Sequence, residues 1–112
     1  MNPSETELVE SFLKTLLHLS KHTRDAYRRD LNYLQNFCIE KNIKKWSALK
    51  ERHVREFISY RHQKGISGRT LQRNLSSIRA LYRYFLRSGI VKANPAEGII
   101  TPKTNLKLPK LL

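Results

Sequence analysis

The sequence predicts an all-α domain, a compact bundle of four main helices with a short fifth. Three observations carry this. Apolar residues recur at three- and four-residue steps, as in Leu71, Leu75, Ile78, Tyr82 and Phe85, the period of a helix with one buried face. Ser20 and Ser67 stand ahead of such stretches as N-caps, and Gly65 and Gly89 follow them as stops. No stretch alternates apolar and polar residues as a half-buried strand would, and no internal repeat or low-complexity tract is present.

The first helix opens with Asn2 as N-cap and Pro3 at its first position, with Glu5 and Glu7 in the positive first turn. It is expected to run to about Leu19. Leu8, Val9, Phe12, Leu13, Leu16 and Leu17 give it a broad apolar face, wide enough either to span the core or to leave part over for a neighbouring subunit. Ser20 caps a second helix to about Asn42, whose core stripe is Tyr27, Leu31, Leu34 and Cys38. Cys38 on that stripe reads as core filler rather than a reactive thiol. Asn42 to Ser47 is a turn, with Trp46 packing over it. The third helix runs from about Leu49 to Lys64, with Val54, Phe57, Ile58 and Arg61 on one side, and Gly65 ends it. Ser67 caps the fourth helix and Gly89 stops it. Asn94-Pro95 starts the short fifth by the same cap-and-proline logic.

Past Ile100 the pattern gives out. Residues 101–112 hold two prolines and three lysines and no helical stripe, the composition of an extended basic linker. The expected division is a helical unit over residues 1–100 and a linker over 101–112 that leads towards a further domain, so that the chain is the first module of a longer protein.

Composition narrows the class. At 112 residues there is room for one domain with a modest core. Cys38 is the only cysteine, so no intramolecular disulfide forms. No apolar run approaches the roughly 20 residues that span a bilayer, and the first residues lack the basic-then-apolar layout of a signal peptide. A cytoplasmic protein is the simplest expectation.

Charge points to the partner. The chain has 22 Lys and Arg against 9 Asp and Glu, a formal charge of +13. From Ile58 onward the only acid is Glu97, while Glu5, Glu7 and Glu10 make the N-terminal stretch locally acidic. Segregation of this kind indicates one working surface. Between Ser67 and Arg87 lie Arg69, Arg73, Arg79, Arg83 and Arg87 and no acid at all. At ~100° per residue these fall away from the apolar stripe. A face of one sign repels itself unless a polyanion lies against it, and nucleic acid is the first candidate. Lys21, Arg24, Arg28 and Gln35 form a second basic strip on one flank of the second helix.

Catalytic equipment is missing. There is no Gly-rich phosphate loop, no CxxC pair and no HExxH. His18 and His22 fall on the first and second helices, and His53 and His62 fall on opposite sides of the third, so they do not gather into a ligand set and no metal and no cofactor is expected. Tyr27 and Tyr82 lie on core stripes, and Tyr33, Tyr60 and Tyr84 read as amphipathic packing residues rather than nucleophiles. Taken alone, this chain binds and does not catalyse.

Three stretches resemble the N-terminal core-binding domain of tyrosine site-specific recombinases, a SAM-like helical fold. Ser20-Lys-His-Thr-Arg-Asp-Ala-Tyr-Arg-Arg-Asp-Leu is similar to that family's S-x-x-T-x-x-x-Y-x-x-D-L opening of the second helix. Thr70-Leu-Gln-Arg-Asn-Leu-Ser-Ser-Ile-Arg-Ala-Leu-Tyr-Arg-Tyr-Phe-Leu is similar to its T-x-x-R-x-L-S-x-I-R-x-F-Y-x-F-L helix. Ala93-Asn-Pro-Ala, then Thr101-Pro-Lys and Leu108-Pro-Lys, resemble the passage into the catalytic domain of Xer recombinases, nearer the XerC branch than XerD. Such domains lay their second and fourth helices across duplex DNA. A separate catalytic domain closes on the other face and brings the tyrosine that forms a 3′-phosphotyrosyl link. The resemblance further implies a XerD-like partner recombinase subunit in a DNA-bound tetramer and an FtsK-type translocase, acting in chromosome-dimer resolution at cell division. The fragment alone is expected to be a monomer.

The candidate DNA contacts are Lys21, Thr23, Arg24 and Arg28 on the second helix and Arg69, Thr70, Arg73, Ser76, Arg79 and Arg83 on the fourth. Most are expected on phosphate, which sets register without reading sequence. Arg69 and Arg73, near the helix start, are placed to reach guanine edges. Thr70 has a second role in supporting the helix start, and Arg79, nearest the apolar stripe, could equally pair with Asp30 or Glu56. Other readings stay open: a phage or transposon integrase, a helix-turn-helix regulator across the short Lys64 to Ser67 connection, or a basic face that docks an acidic protein or RNA.

Overall fold

In the computed structural model, residues 1–101 are described. They form α1 (Pro3–Lys14), α2 (Lys21–Glu40), a 3-10 turn (Trp46–Ala48), α3 (Glu51–Gln63) and α4 (Gly68–Arg87), with no strand among the described residues. No described helix is long and apolar enough to cross a membrane.

The starts follow the expected chemistry. The Asn2 side chain accepts from Glu5 N at 3.1 Å, and Ser20 and Ser67 accept from Thr23 N and Thr70 N at 3.1 and 3.2 Å. Each serine hydroxyl also donates to the threonine hydroxyl three residues on, so α2 and α4 begin with the same Ser-x-x-Thr box. Three helix ends share one device. Asn42, Gly65 and Gly89 take left-handed backbone, with φ of 62°, 88° and 74°. Ile43, Ile66 and Ile90, one residue on, donate back to Cys38, Arg61 and Phe85. This satisfies carbonyls the helix leaves open and turns an isoleucine inward.

Two expected boundaries are corrected. The first helix stops at Lys14, not Leu19. Thr15 Oγ1 donates to Phe12 O at 2.6 Å, and Leu16 N and Leu19 N bond three residues back. A hydroxyl competing for the helix carbonyl tightens the chain into turns. Leu16 stays buried while Leu17 is 69% exposed. The short fifth helix is only a turn over residues 95–98. Asn94 Oδ1 does accept from Ala96 N, but the backbone bonds there span three residues, and no helical ladder follows. The packed chain nevertheless continues past it: Ile99 and Thr101 are buried. The linker expected over 101–112 otherwise lies outside the described residues.

α1 to α4 enclose one apolar core. Trp46 sits at its centre, fully buried, rather than over the turn as expected. Its backbone N donates to Glu5 Oε1 at 2.8 Å and its indole Nε1 to Glu5 O at 2.9 Å. Tyr82 Oη in turn donates to Trp46 O at 2.6 Å. Residue 46, through its backbone and its indole, thus ties the start of α1 to the second half of α4.

Cys38 is buried on the α2 stripe, and desolvation pushes its thiol up to about 12. The fold therefore holds the neutral form, while the unfolded chain ionises from about pH 8.5. The stability this contributes is present below that pH and is lost as pH rises towards 12. At pH 8 an aromatic disulfide reagent should label the native chain roughly a hundredfold more slowly than the denatured chain. Equal rates would show the thiol to be accessible.

Candidate nucleic-acid interface

The strips on α2 and α4 are built differently from what helical spacing alone suggests. α4 packs on the flank of α2 that carries Asp30, a carboxylate only 1% exposed. Asp30 accepts four hydrogen bonds, all from α4. Arg73 Nε and Nη2 bind it at 3.0 and 2.7 Å, Asn74 Nδ2 at 2.9 Å and Ser77 Oγ at 2.9 Å. This pairing raises the Arg73 guanidinium above its ordinary value. Asn74 Oδ1 then accepts from Arg61 Nε at 2.8 Å, and the Arg61 guanidinium lies 4.1 Å over the Tyr33 ring. Arg61 is buried, and stacking plus one amide stands in for a carboxylate partner. The network joins α2, α3 and α4.

Arg28 stands two residues before Asp30, about 200° round the helix. It faces α1 instead, where it meets Glu10 at 2.6 Å. The two basic strips are therefore not side by side. On the outward face of α2, Asp25, Arg28, Arg29, Asn32, Tyr33 and Asn36 line a shallow groove. Arg29, exposed there, was missed in favour of its neighbours. The signal was available, since a helical wheel puts it opposite Leu31 and Leu34.

Each candidate has a definite place. Lys21 pairs with Asp25 at 2.9 Å, and that pairing holds the Asp25 carboxyl below its usual range. Arg83 has Glu97 at 3.8 Å. Arg24 and Arg69 have no acidic partner within 4 Å among the described residues. Thr23 and Thr70 serve the helix starts, and Ser76 is exposed on the outer face of α4. Arg79 pairs with neither expected acid. Asp30 is taken by Arg73, and Glu56 by Lys41 at 2.6 Å. Arg79 Nε and Nη2 donate instead to Ala96 O and Ile99 O at 2.9 and 2.5 Å, so it fastens the segment after α4. Among the described residues no group of three or more His, Cys, Asp or Glu is placed to hold a metal ion.

Residues 9–89 match the family described as "Phage integrase, N-terminal SAM-like domain". The chain belongs to that family. The integrase SAM-like domain is also similar in sequence to proteins named "Tyrosine recombinase XerC". It is 40% identical to that of Stutzerimonas stutzeri (strain A1501) over 109 residues, covering 97% of this chain and 36% of the relative. It is 42% identical to that of Pseudomonas fluorescens and 41% to that of Pseudomonas putida (strain W619), each over 89% of this chain and 33% of the relative. The chain thus spans about a third of the length of the curated relatives it matches. No solved structure matches significantly.

Proposed function

We propose that this integrase SAM-like domain is the DNA-binding module of a tyrosine recombinase that cuts and rejoins duplex DNA through a 3′-phosphotyrosyl link. Its role there is to lie on the duplex with the outer faces of α2 and α4. The single observation that carries the reading is the outer face of α4, which presents Arg69, Arg73, Arg83 and Arg87 and carries no acid of its own. The names of the relatives support the reaction class. Residues 102–112 then lead to a catalytic domain. The site's partners are a second, XerD-like recombinase subunit and an FtsK-type translocase, with chromosome-dimer resolution in the cytoplasm as the cellular task.

The residues divide by role. Arg24 and Arg69, without acidic partners among the described residues, and Lys21, Arg28 and Arg83, whose acids are about half exposed, serve phosphate. Exposed ion pairs of this kind are worth little, so a phosphate can replace the carboxylate at small cost. Arg79 is set aside, because its donors are spent on carbonyls. Together with Arg87, exposed on the outer face of α4, this leaves six cations for phosphate.

Six phosphate contacts correspond to a slope of log K against log salt near −5. Fluorescence anisotropy with a labelled duplex should show affinity falling about a thousandfold between 50 and 200 mM salt. A nearly flat response, or preference for a folded RNA competitor over the duplex, would overturn the reading.

A further inference from the structure

Arg73 differs from every other arginine on these helices in how it is held. Its inner edge, Nε with one hydrogen of Nη2, is taken by a carboxylate that is itself 1% exposed. That carboxylate is fixed from behind by Asn74 and Ser77. Asn74 is fixed in turn by Arg61. The guanidinium is planar and has five donors in two forks. Occupying the inner fork leaves the terminal fork, one hydrogen on Nη1 and one on Nη2, intact. Nη1 makes no hydrogen bond among the described residues, and the Arg73 side chain is 43% exposed. So a forked double donor faces solvent from a position where the inner half cannot swing.

Elsewhere the arrangement differs. Arg79 uses its inner edge too, but it is half-buried against backbone carbonyls. Arg28 and Arg83 meet acids that are themselves about half exposed. Those side chains can follow a phosphate wherever it lies. Reading a base edge needs the opposite property: two donors at fixed spacing, in one plane, held before the ligand arrives. Guanine offers the matching pair of acceptors, O6 and N7, in the major groove.

We infer that Asp30 is a positioning residue for sequence reading, holding Arg73 by its inner edge so that the terminal edge is presented to a guanine. This rests on the DNA-binding reading above and adds to it which arginine reads a base and what makes it able to. Asp30 costs the interface little, because its carboxylate is buried and does not face the duplex.

The test is selection of duplexes from a randomised library by the 112-residue chain and its variants, with affinity for an unrelated duplex measured in parallel. The unaltered chain should select a guanine at a defined position. R73K keeps the charge but has no fork; it should lose about ten- to a hundredfold preference at that base pair, read as the ratio of affinities for duplexes that differ only there. D30N should lose the same preference with Arg73 still present. S77A, which removes one of the bonds behind Asp30 and leaves the ion pair, keeps the question open to test if D30N does not fold, and should weaken the preference several-fold. Unchanged selectivity in R73K overturns guanine reading. Lost selectivity in R73K with full selectivity in S77A, and in D30N if it folds, overturns the role of Asp30. If the unaltered chain binds no duplex, the DNA-binding reading itself fails, and this inference with it.

Discussion

Replacing Trp46 by alanine should lower stability by about 4 kcal/mol, the usual loss for deleting a large buried aromatic side chain. Trp46 is fully buried and touches Phe85, with ring centroids 6.3 Å apart. Its indole N–H also satisfies Glu5 O, a carbonyl at the start of α1. The backbone bonds of residue 46 survive the substitution, so the loss reports packing and that one hydrogen bond. Domains of this size are stable by only about 5–15 kcal/mol, so the melting temperature should fall by roughly 20 °C. Trp46 is the only tryptophan, so unfolding is best followed by far-ultraviolet circular dichroism. W46F, which keeps most of the ring, should lose about half as much. A W46A variant that melts within a few degrees of the original would mean the core does not close around this residue.

Asp30→Ala should cost about 3 kcal/mol, because it strands four donor atoms on α4 that the buried carboxylate satisfies. Arg73→Ala should also destabilise, by leaving that carboxylate without its countercharge. The two losses should not add. In a double-mutant cycle followed by urea unfolding, the coupling between Asp30 and Arg73 should be about 1–2 kcal/mol. It stays below the value for a fully buried pair because the Arg73 side chain is 43% exposed and its outer half is solvent-screened. Additivity within about 0.3 kcal/mol would show that the pair does not join α2 to α4. The cycle measures folding, whereas base selection by R73K measures recognition, so the structural and functional roles of the pair separate.

Helix type, the caps at Asn2, Ser20 and Ser67, and the stops at Gly65 and Gly89 were legible in the residues, because capping and periodicity act over a few positions of chain. The same range of action explains the boundary errors. Thr15 diverting a carbonyl, and the turn over residues 95–98 failing to propagate into a helix, are small local competitions that an apolar stripe does not reveal.

The site was legible only in part. An abundance of arginine on α4, without acid, could be read directly. Its single sign holds only along that one helix: the acid that holds Arg73 is 43 residues away in the chain, and the one near Arg83 is Glu97, beyond the helix end. Asp30 stood among apolar positions of α2, the mark of a buried acid that needs partners, but nothing local said which arginine would answer it.

By itself, then, the sequence settled that this chain is helical and basic, since composition, capping and the 3.6-residue period are properties of short stretches. Which helix lies on which flank of α2 was decided by tertiary packing alone. That packing sorted the arginines into one held rigidly by a buried carboxylate, one fastened to backbone carbonyls, and others left able to move. The physical reason is range: an ion pair depends on a distance of a few ångströms between side chains, and only the folded core brings residues 30 and 73 that close.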